Sequence, residues 1–334
     1  MRAPAFWSAP HPTLVARALA PLGALYGALT AQRMARRGLC VDAPVVCIGN
    51  FTAGGAGKTP TAIAAARALR ALGERPFFLS RGYGARESVR TPVRVDPARH
   101  GASAVGDEPL LLAREAATFV CADRVAGAQA AVRAGASVIV MDDGLQNPSL
   151  HKDLAIVVID AEAGAGNGLC IPAGPLRAPL AAQWAHVDAA LIIGAPTHEA
   201  GRALAWEAQA RGLPVLRGAL APDETQAHEL LGRRVVAFAG IGRPEKFFDT
   251  LREAGALIAQ TRAFPDHHVF TQSELDDLRA RAAAEQASLV TTRKDYVRMG
   301  APGDVAVLDV SLSLEAAQDF ADLLAQGLAR ARET

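Results

Sequence analysis

Residues Gly49–Pro60 read GNFTAGGAGKTP, and this stretch leaves few folds open. An apolar run, Val45 to Ile48, leads into it, and an alanine-rich segment with helical character, Thr59 to Leu72, leads out. Between a strand and a helix, Gly54, Gly55 and Gly57 let the backbone turn its N–H groups toward an anion. The helix N-terminus adds the positive end of its dipole. Thr52, Ala53 and Ala56 complete the loop, Lys58 reaches for the outer phosphates of a nucleotide, and Thr59 offers a hydroxyl to Mg²⁺. The usual pattern has glycine where Thr52 stands, but the remaining glycines and the Lys-Thr pair preserve the mechanism. Pro60 is acceptable because an early helical position has no intrahelical partner for its N–H. The alternative is a glycine-rich turn with a structural role only.

Alternation continues beyond the loop. Pro76 to Leu79, Thr118 to Cys121, Val138 to Met141, Ala155 to Ile159 and Ala190 to Ile193 are short apolar runs, separated by helix-like stretches such as Arg124 to Ala134. Such unalternated runs fit a parallel sheet covered on both faces. A second series has strands at Val235 to Ala239, Ala256 to Thr261, Ser288 to Thr291 and Val305 to Val310. Its helices lie at Glu245 to Ala254, Gln272 to Ala284 and Leu314 to Ala329. The expected class is α/β: a parallel-sheet core of the phosphate-loop NTPase type over 39–225, and a smaller α/β lobe over 226–334 closing a cleft.

Residues 1–38 form a third unit. Between Ala18 and Ala31 there is no charge, Leu22, Leu25, Tyr26 and Leu29 recur at helical spacing, and Arg33, Arg36 and Arg37 follow. Arg17 interrupts the run, so an interfacial membrane helix is expected rather than a span, with Phe6 and Trp7 at the headgroup boundary. A helix packed on its own domain and a cleaved signal peptide are the alternatives. The 35 basic and 34 acidic residues nearly cancel, so no global field favours nucleic acid. Cys40, Cys47, Cys121 and Cys170 lack CxxC spacing, which suits thiols in a reducing compartment better than disulfides or zinc.

Three acidic or histidine motifs carry possible chemistry. Val138–Met141 runs into Asp142-Asp143-Gly144, placing carboxylates at the C-terminal end of a buried strand, where an aspartate can hold Mg²⁺ directly or through water. Gly106-Asp107-Glu108-Pro109 starts a helix with an acidic pair, which also serves ordinary capping. Phe264-Pro265-Asp266-His267-His268 follows a strand, and its histidines read first as polar turn residues and only second as metal ligands.

Taken with SRGYG at Ser80–Gly84, VGDEP at Val105–Pro109, DDGLQ at Asp142–Gln146, PAGPLR at Pro172–Arg177, FPDHHVF at Phe264–Phe270 and TTRKD at Thr291–Asp295, the opening loop resembles the tetraacyldisaccharide 4'-kinases, the lipid A 4'-kinases. The matches occur in order over most of the chain. The resemblance implies a phosphate-loop kinase core with a smaller lobe, ATP and Mg²⁺, and transfer of the γ-phosphoryl group to the 4'-hydroxyl of a tetraacylated glucosamine disaccharide 1-phosphate. It further implies work at the cytoplasmic face of the bacterial inner membrane, as a peripheral or monotopic protein with no obligate protein partner. Carried over by motif, Asp107 is the catalytic base, His267 its partner and Lys58 a catalytic cation. Thr59, Asp142 and Asp143 serve Mg²⁺, Arg177 contacts phosphate, and Glu108, Gln146 and Asp266 support their neighbours. Asn147, Ala178 and Arg293 depart from the family's more frequent histidine, glutamate and glutamate. Two rivals share the loop: a membrane-associated partitioning-type ATPase, which usually has lysine where Ala53 stands, and a soluble small-molecule kinase.

Overall fold

The computed structural model describes residues 4–85, 89–195 and 197–333. Its strands are β1 (Val45–Gly49), β2 (Pro76–Ser80), β3 (Val93–Arg94), β4 (Thr118–Val120), β5 (Val138–Asp142), β6 (Leu154–Asp160), β7 (Ala189–Ile193), β8 (Val215–Pro222), β9 (Arg234–Ala239), β10 (Leu257–Ala263), β11 (Ser288–Thr292), β12 (Val305–Leu308) and β13 (Val310–Leu314). They form a nine-stranded sheet ordered β13-β8-β7-β6-β1-β5-β2-β4-β3 and a four-stranded sheet ordered β10-β9-β11-β12. The large sheet is parallel from β8 through β4, with β13 and β3 antiparallel at its two edges.

Period-two alternation explains the layers. Val45 and Cys47 of β1 point into one core, shared with the helices Arg124–Arg133 and Glu199–Ala210. Val46 and Ile48 point into the opposite core, shared with the helices Lys58–Ala71 and Ala317–Glu333. Both faces are therefore apolar, as the unalternated sequence requires. The parallel order brings the C-terminal ends of β1, β5 and β6 to one edge. After β1 the chain proceeds toward β2, whereas after β6 it proceeds toward β7, so the ligand crevice of an open α/β sheet lies here.

The C-terminal boundary differs from expectation. Val305–Val310 is not one strand, and residues after Asp309 do not stay in the smaller lobe: β13 pairs with β8, and Phe320, Leu324 and Leu328 pack on the large sheet. Asp309 makes the break, because its N–H donates to Gln226 Oε1 (2.7 Å) and its carbonyl accepts from the Asp223 N–H (2.9 Å). The two chains joining the lobes thus run side by side, with Val310 opposite Pro222.

The N-terminal helix Leu14–Met34 begins with Thr13, whose hydroxyl accepts from the Ala16 N–H (3.3 Å). It packs on its own domain through small residues: a Cβ on Gly23 would lie 2.6 Å from the Cys170 carbonyl, and one on Gly27 2.7 Å from Cys170 Sγ. Leu22, Leu25, Tyr26 and Leu29 stand outward and exposed, and by length and composition the helix is sufficient to cross a membrane. The indole of Trp7 donates to the Pro172 carbonyl (3.0 Å), which ties the segment before the helix to the core lobe.

Candidate active site

The phosphate loop follows β1 directly. Gly57, at φ 89°, caps the helix Lys58–Ala71 in a left-handed conformation closed to most residues, and Gly54 has φ 114°. The Ala53 N–H is spent on the Pro175 carbonyl (2.8 Å), and the Thr52 carbonyl accepts from Arg177 Nε (3.1 Å). These two expected phosphate-contact positions therefore shape the loop. Among the described residues, no acceptor lies against the backbone N–H groups of Gly54 to Thr59 at the start of the helix Lys58–Ala71. Lys58 folds over the loop, with Nζ 3.3 Å from the Gly54 carbonyl and 3.8 Å from Asp143.

Asp142 ends β5 in a buried position, where Thr59 donates its hydroxyl to Oδ2 (3.2 Å) and Oδ1 has no partner. Burial, reinforced by the charge of Glu108, pushes its carboxyl up to about 7. Asp143 differs: burial opposes its charge, yet Lys58 and Arg177 hold its carboxyl below the usual range. Arg177 donates to Asp143 Oδ2 (2.9 Å), so in this arrangement it holds the second carboxylate of the pair rather than facing open space. Asp143 adopts φ 57°, an uncommon value outside glycine.

Across the crevice, Asp107 opens the helix Asp107–Leu112 and is buried. Its Oδ2 lies 3.4 Å from His267 Nδ1 and is gripped by Arg298 Nη2, so residues far apart in sequence meet where the lobes face one another. Burial opposes the charge on Asp107, but His267, Arg298 and Lys294 outweigh it and hold the carboxyl far below the ordinary range. The hydrogen bond to Asp107 raises the His267 imidazole above its ordinary value, against the effect of burial. Gly84 borders the pair: a Cβ there would lie 3.7 Å from Asp107 Oδ1 and 3.8 Å from His267 Nδ1. His267 has φ 56°, held by its N–H donating to Gly240 O (3.1 Å) and Asp266 Oδ1 (3.1 Å). His268 faces away, on Glu274 (3.0 Å) and stacked on Phe264.

The supporting residues separate by role. Glu108 binds Lys294 Nζ across the lobes (2.6 Å). Gln146 stays behind the loop, donating to the Asn50 carbonyl (2.7 Å) and to Gln183 (2.7 Å). Asn147 caps its own turn through the Ser149 N–H (2.9 Å), and Ala178 is fully buried. Arg293 makes a two-pronged pair with Asp309 (2.7 and 2.6 Å), which fastens the break between β12 and β13. Sequence reading passed over Lys294, Arg298 and Arg243. Lys294 and Arg298 sit four apart on the helix Arg293–Arg298, a spacing that shares one face. Arg243 donates to the Gly55 carbonyl (2.9 Å) and pairs with Asp160, which Lys246 also binds (3.0 Å).

A buried parallel sheet with a glycine-rich loop after β1, a Lys-Thr pair opening the next helix and an aspartate ending the adjacent strand defines a phosphate-loop nucleotide-binding protein with a second lobe over its crevice. Residues 15–329 match the tetraacyldisaccharide-1-P 4'-kinase (LpxK) family, and the chain belongs to it. It is 60% identical over 329 residues to the tetraacyldisaccharide 4'-kinase of Methylobacterium sp. (strain 4-46), covering 98% of this chain and 97% of that protein. To the same-named protein of Bradyrhizobium diazoefficiens it is 49% identical, covering 100% and 98%. A crystal structure of "apo" form LpxK from Aquifex aeolicus in complex with ATP shares the fold, with TM-score 0.73 and 22% identity over 94% of this chain and 100% of that one.

Proposed function

We propose that this chain transfers the γ-phosphoryl group of ATP to the 4'-hydroxyl of a tetraacylated glucosamine disaccharide 1-phosphate. The observation that carries this reading is that Asp107 of the core lobe, paired with His267 of the smaller lobe, lies at the same crevice as Lys58, Thr59 and Asp142, whose carboxyl feels the neighbouring Glu108 and Lys294. The 4'-oxygen forms the new bond to phosphorus, the bond to the β–γ bridging oxygen breaks, ADP departs, and the hydroxyl proton passes to the Asp107–His267 pair. The pair acts as one unit. With Arg298 holding Asp107 ionised, the proton rests on His267, whose proton affinity Asp107 raises.

The free, buried Oδ1 of Asp142 and the hydroxyl of Thr59 supply the oxygen donors a hard divalent cation prefers, with Asp143 beside them. Mg²⁺ held there would neutralise charge on the phosphates. Lys58 and the N–H groups of Gly54 to Thr59 orient the phosphates, and Arg177 fixes Asp143 beside the metal position.

The acceptor sets the location. Withdrawing an acyl chain from a bilayer costs about 0.8 kcal/mol per CH₂, so an enzyme for a four-chain lipid works at the membrane. The outward leucines of the helix Leu14–Met34 fit a membrane surface, and the ATP donor assigns that surface to the cytoplasmic side. The test is transfer of label from γ-labelled Mg-ATP to the disaccharide 1-phosphate in detergent micelles. Labelled bis-phosphorylated lipid from wild type and not from Asp107→Ala supports the assignment. No labelled lipid from a preparation that binds ATP would leave the partitioning ATPase or a soluble kinase.

A further inference from the structure

The end of the sheet opposite the phosphate loop holds a second cavity. A cavity of about 280 Å³ lies where the N-terminal helix ends, lined by Arg36 and Arg37 after the helix, His151 and Lys152 before β6, and His186 and Asp188 before β7. Asp188 is its one acid, and that carboxylate already accepts the Ala155 N–H (2.7 Å). Among the described residues Arg36 and Arg37 form no ion pair. Burial holds Lys152 below its ordinary value, and burial together with the charge of Lys152 does the same to His186. Asp188 in the lining and Asp153, 3.6 Å from His151, offset part of this cluster, and the charge of Arg36 and Arg37 is left without a carboxylate partner among the described residues.

The helix aims this cluster. At about 100° per residue, Leu22, Leu25 and Leu29 share a meridian that Arg33 continues in the last turn, opposite the buried Gly23 and Gly27, and Arg36 and Arg37 follow directly after the helix. An apolar face in a bilayer would therefore carry the arginines to headgroup depth. The seven residues of β6 separate the cavity from the crevice by about 23 Å at roughly 3.3 Å per residue, too far for one disaccharide to occupy both.

We propose that this cavity binds the headgroup phosphate of an anionic phospholipid, a lipid distinct from the kinase acceptor. The proposal rests on the membrane reading above and assigns a particular anchor within it. The test is flotation of the full chain with phosphatidylcholine vesicles, with and without phosphatidylglycerol. Wild type binds the anionic vesicles more tightly, and Arg36→Ala/Arg37→Ala loses on the order of tenfold of that preference. The variant keeps its binding to phosphatidylcholine and its kinase activity in micelles. Arg17→Ala, on the same helix but outside the cavity, retains the preference; equal losses from both would mean a diffuse field and overturn the site. Greater release by inorganic phosphate than by chloride at equal ionic strength would reassign the cavity to a soluble anion and also overturn it. An anionic preference that survives in Arg36→Ala/Arg37→Ala overturns the cavity alone, whereas wild type that binds neither vesicle overturns the membrane reading as well.

Discussion

Arg298 grips the same carboxylate oxygen of Asp107 that lies 3.4 Å from His267 Nδ1. Both members of the ion pair are buried, and Arg298 also binds Asp295 (2.6 Å) and the Gly240 carbonyl (3.1 Å). The smaller lobe thus holds the Asp107 member of the proposed proton-accepting pair through a charge of its own. Removing one partner of a buried pair leaves an uncompensated charge and costs about 3–5 kcal/mol. Arg298→Met is accordingly expected to lower stability to urea by that order, and Asp107→Asn added to it to recover part of the loss. Simple additivity of the two substitutions would mean that the pair is not coupled.

The dyad predicts a split between binding and turnover. Asp107→Ala or His267→Ala should lower kcat by roughly 10²–10⁴-fold while ATP still binds, whereas Lys58→Ala should weaken both. Because the hydrogen bond to Asp107 raises the His267 imidazole, replacing Asp107 by Asn should move the histidine titration to lower pH. Proton-detected NMR of His267 would follow that shift; an unmoved titration would separate the two residues.

Asp142 sets a different pH dependence. Its carboxyl, pushed up to about 7 by burial, keeps a proton in the folded chain that the unfolded chain releases near pH 4. Between those values the folded state binds more protons, so the metal-free protein should lose stability as pH rises from about 4 to about 7, then level off. Thermal unfolding across that range checks the sign, and Asp142→Asn should flatten the slope. Mg²⁺ binding below pH 7 should release a proton, which calorimetry in buffers of different ionisation enthalpy would detect.

The local half of this site was legible in the sequence. The loop, its strand and its helix are neighbours in the chain, so glycine placement and apolar periodicity suffice to read them. The Asp107–His267 pairing came from family resemblance, since nothing in the spacing of two residues on different lobes predicts contact. Arg298 to Asp107 spans 191 positions and Arg243 to Gly55 spans 188, and surface-like charges do not announce such partners. The return of β13 was hidden because Val305–Val310 looks continuous, and only the tertiary partners of Asp309 reveal the break.

Arg243 and Lys246 tie the lobes beside the phosphate loop, through Asp160 and the Gly55 carbonyl. These groups are partly exposed, so their contribution to stability is small and screened by salt. Their effect should fall on nucleotide handling: Arg243→Ala is expected to change KM for ATP several-fold with stability within about 0.5 kcal/mol of wild type. Unchanged ATP kinetics over a range of ionic strength would make the contact incidental.

The N-terminal helix and the phosphate loop share one support. Gly23 and Gly27 rest on Cys170, Trp7 binds the Pro172 carbonyl, and the same segment continues to Pro175 and Arg177, which hold Ala53 and Thr52. A Cβ at Gly23 would meet backbone at 2.6 Å, so Gly23→Ala must displace either the helix or the Cys170 turn. Overpacking of this kind costs about 1–3 kcal/mol. If the displacement travels along the segment, Gly23→Ala should raise KM for ATP in micelles as well as lowering the unfolding temperature. Leu25→Ala, on the outward face, should leave both unchanged and weaken only vesicle binding. A Gly23→Ala protein that is destabilised but has wild-type ATP kinetics would show that the helix is braced by this segment without bracing the loop in return.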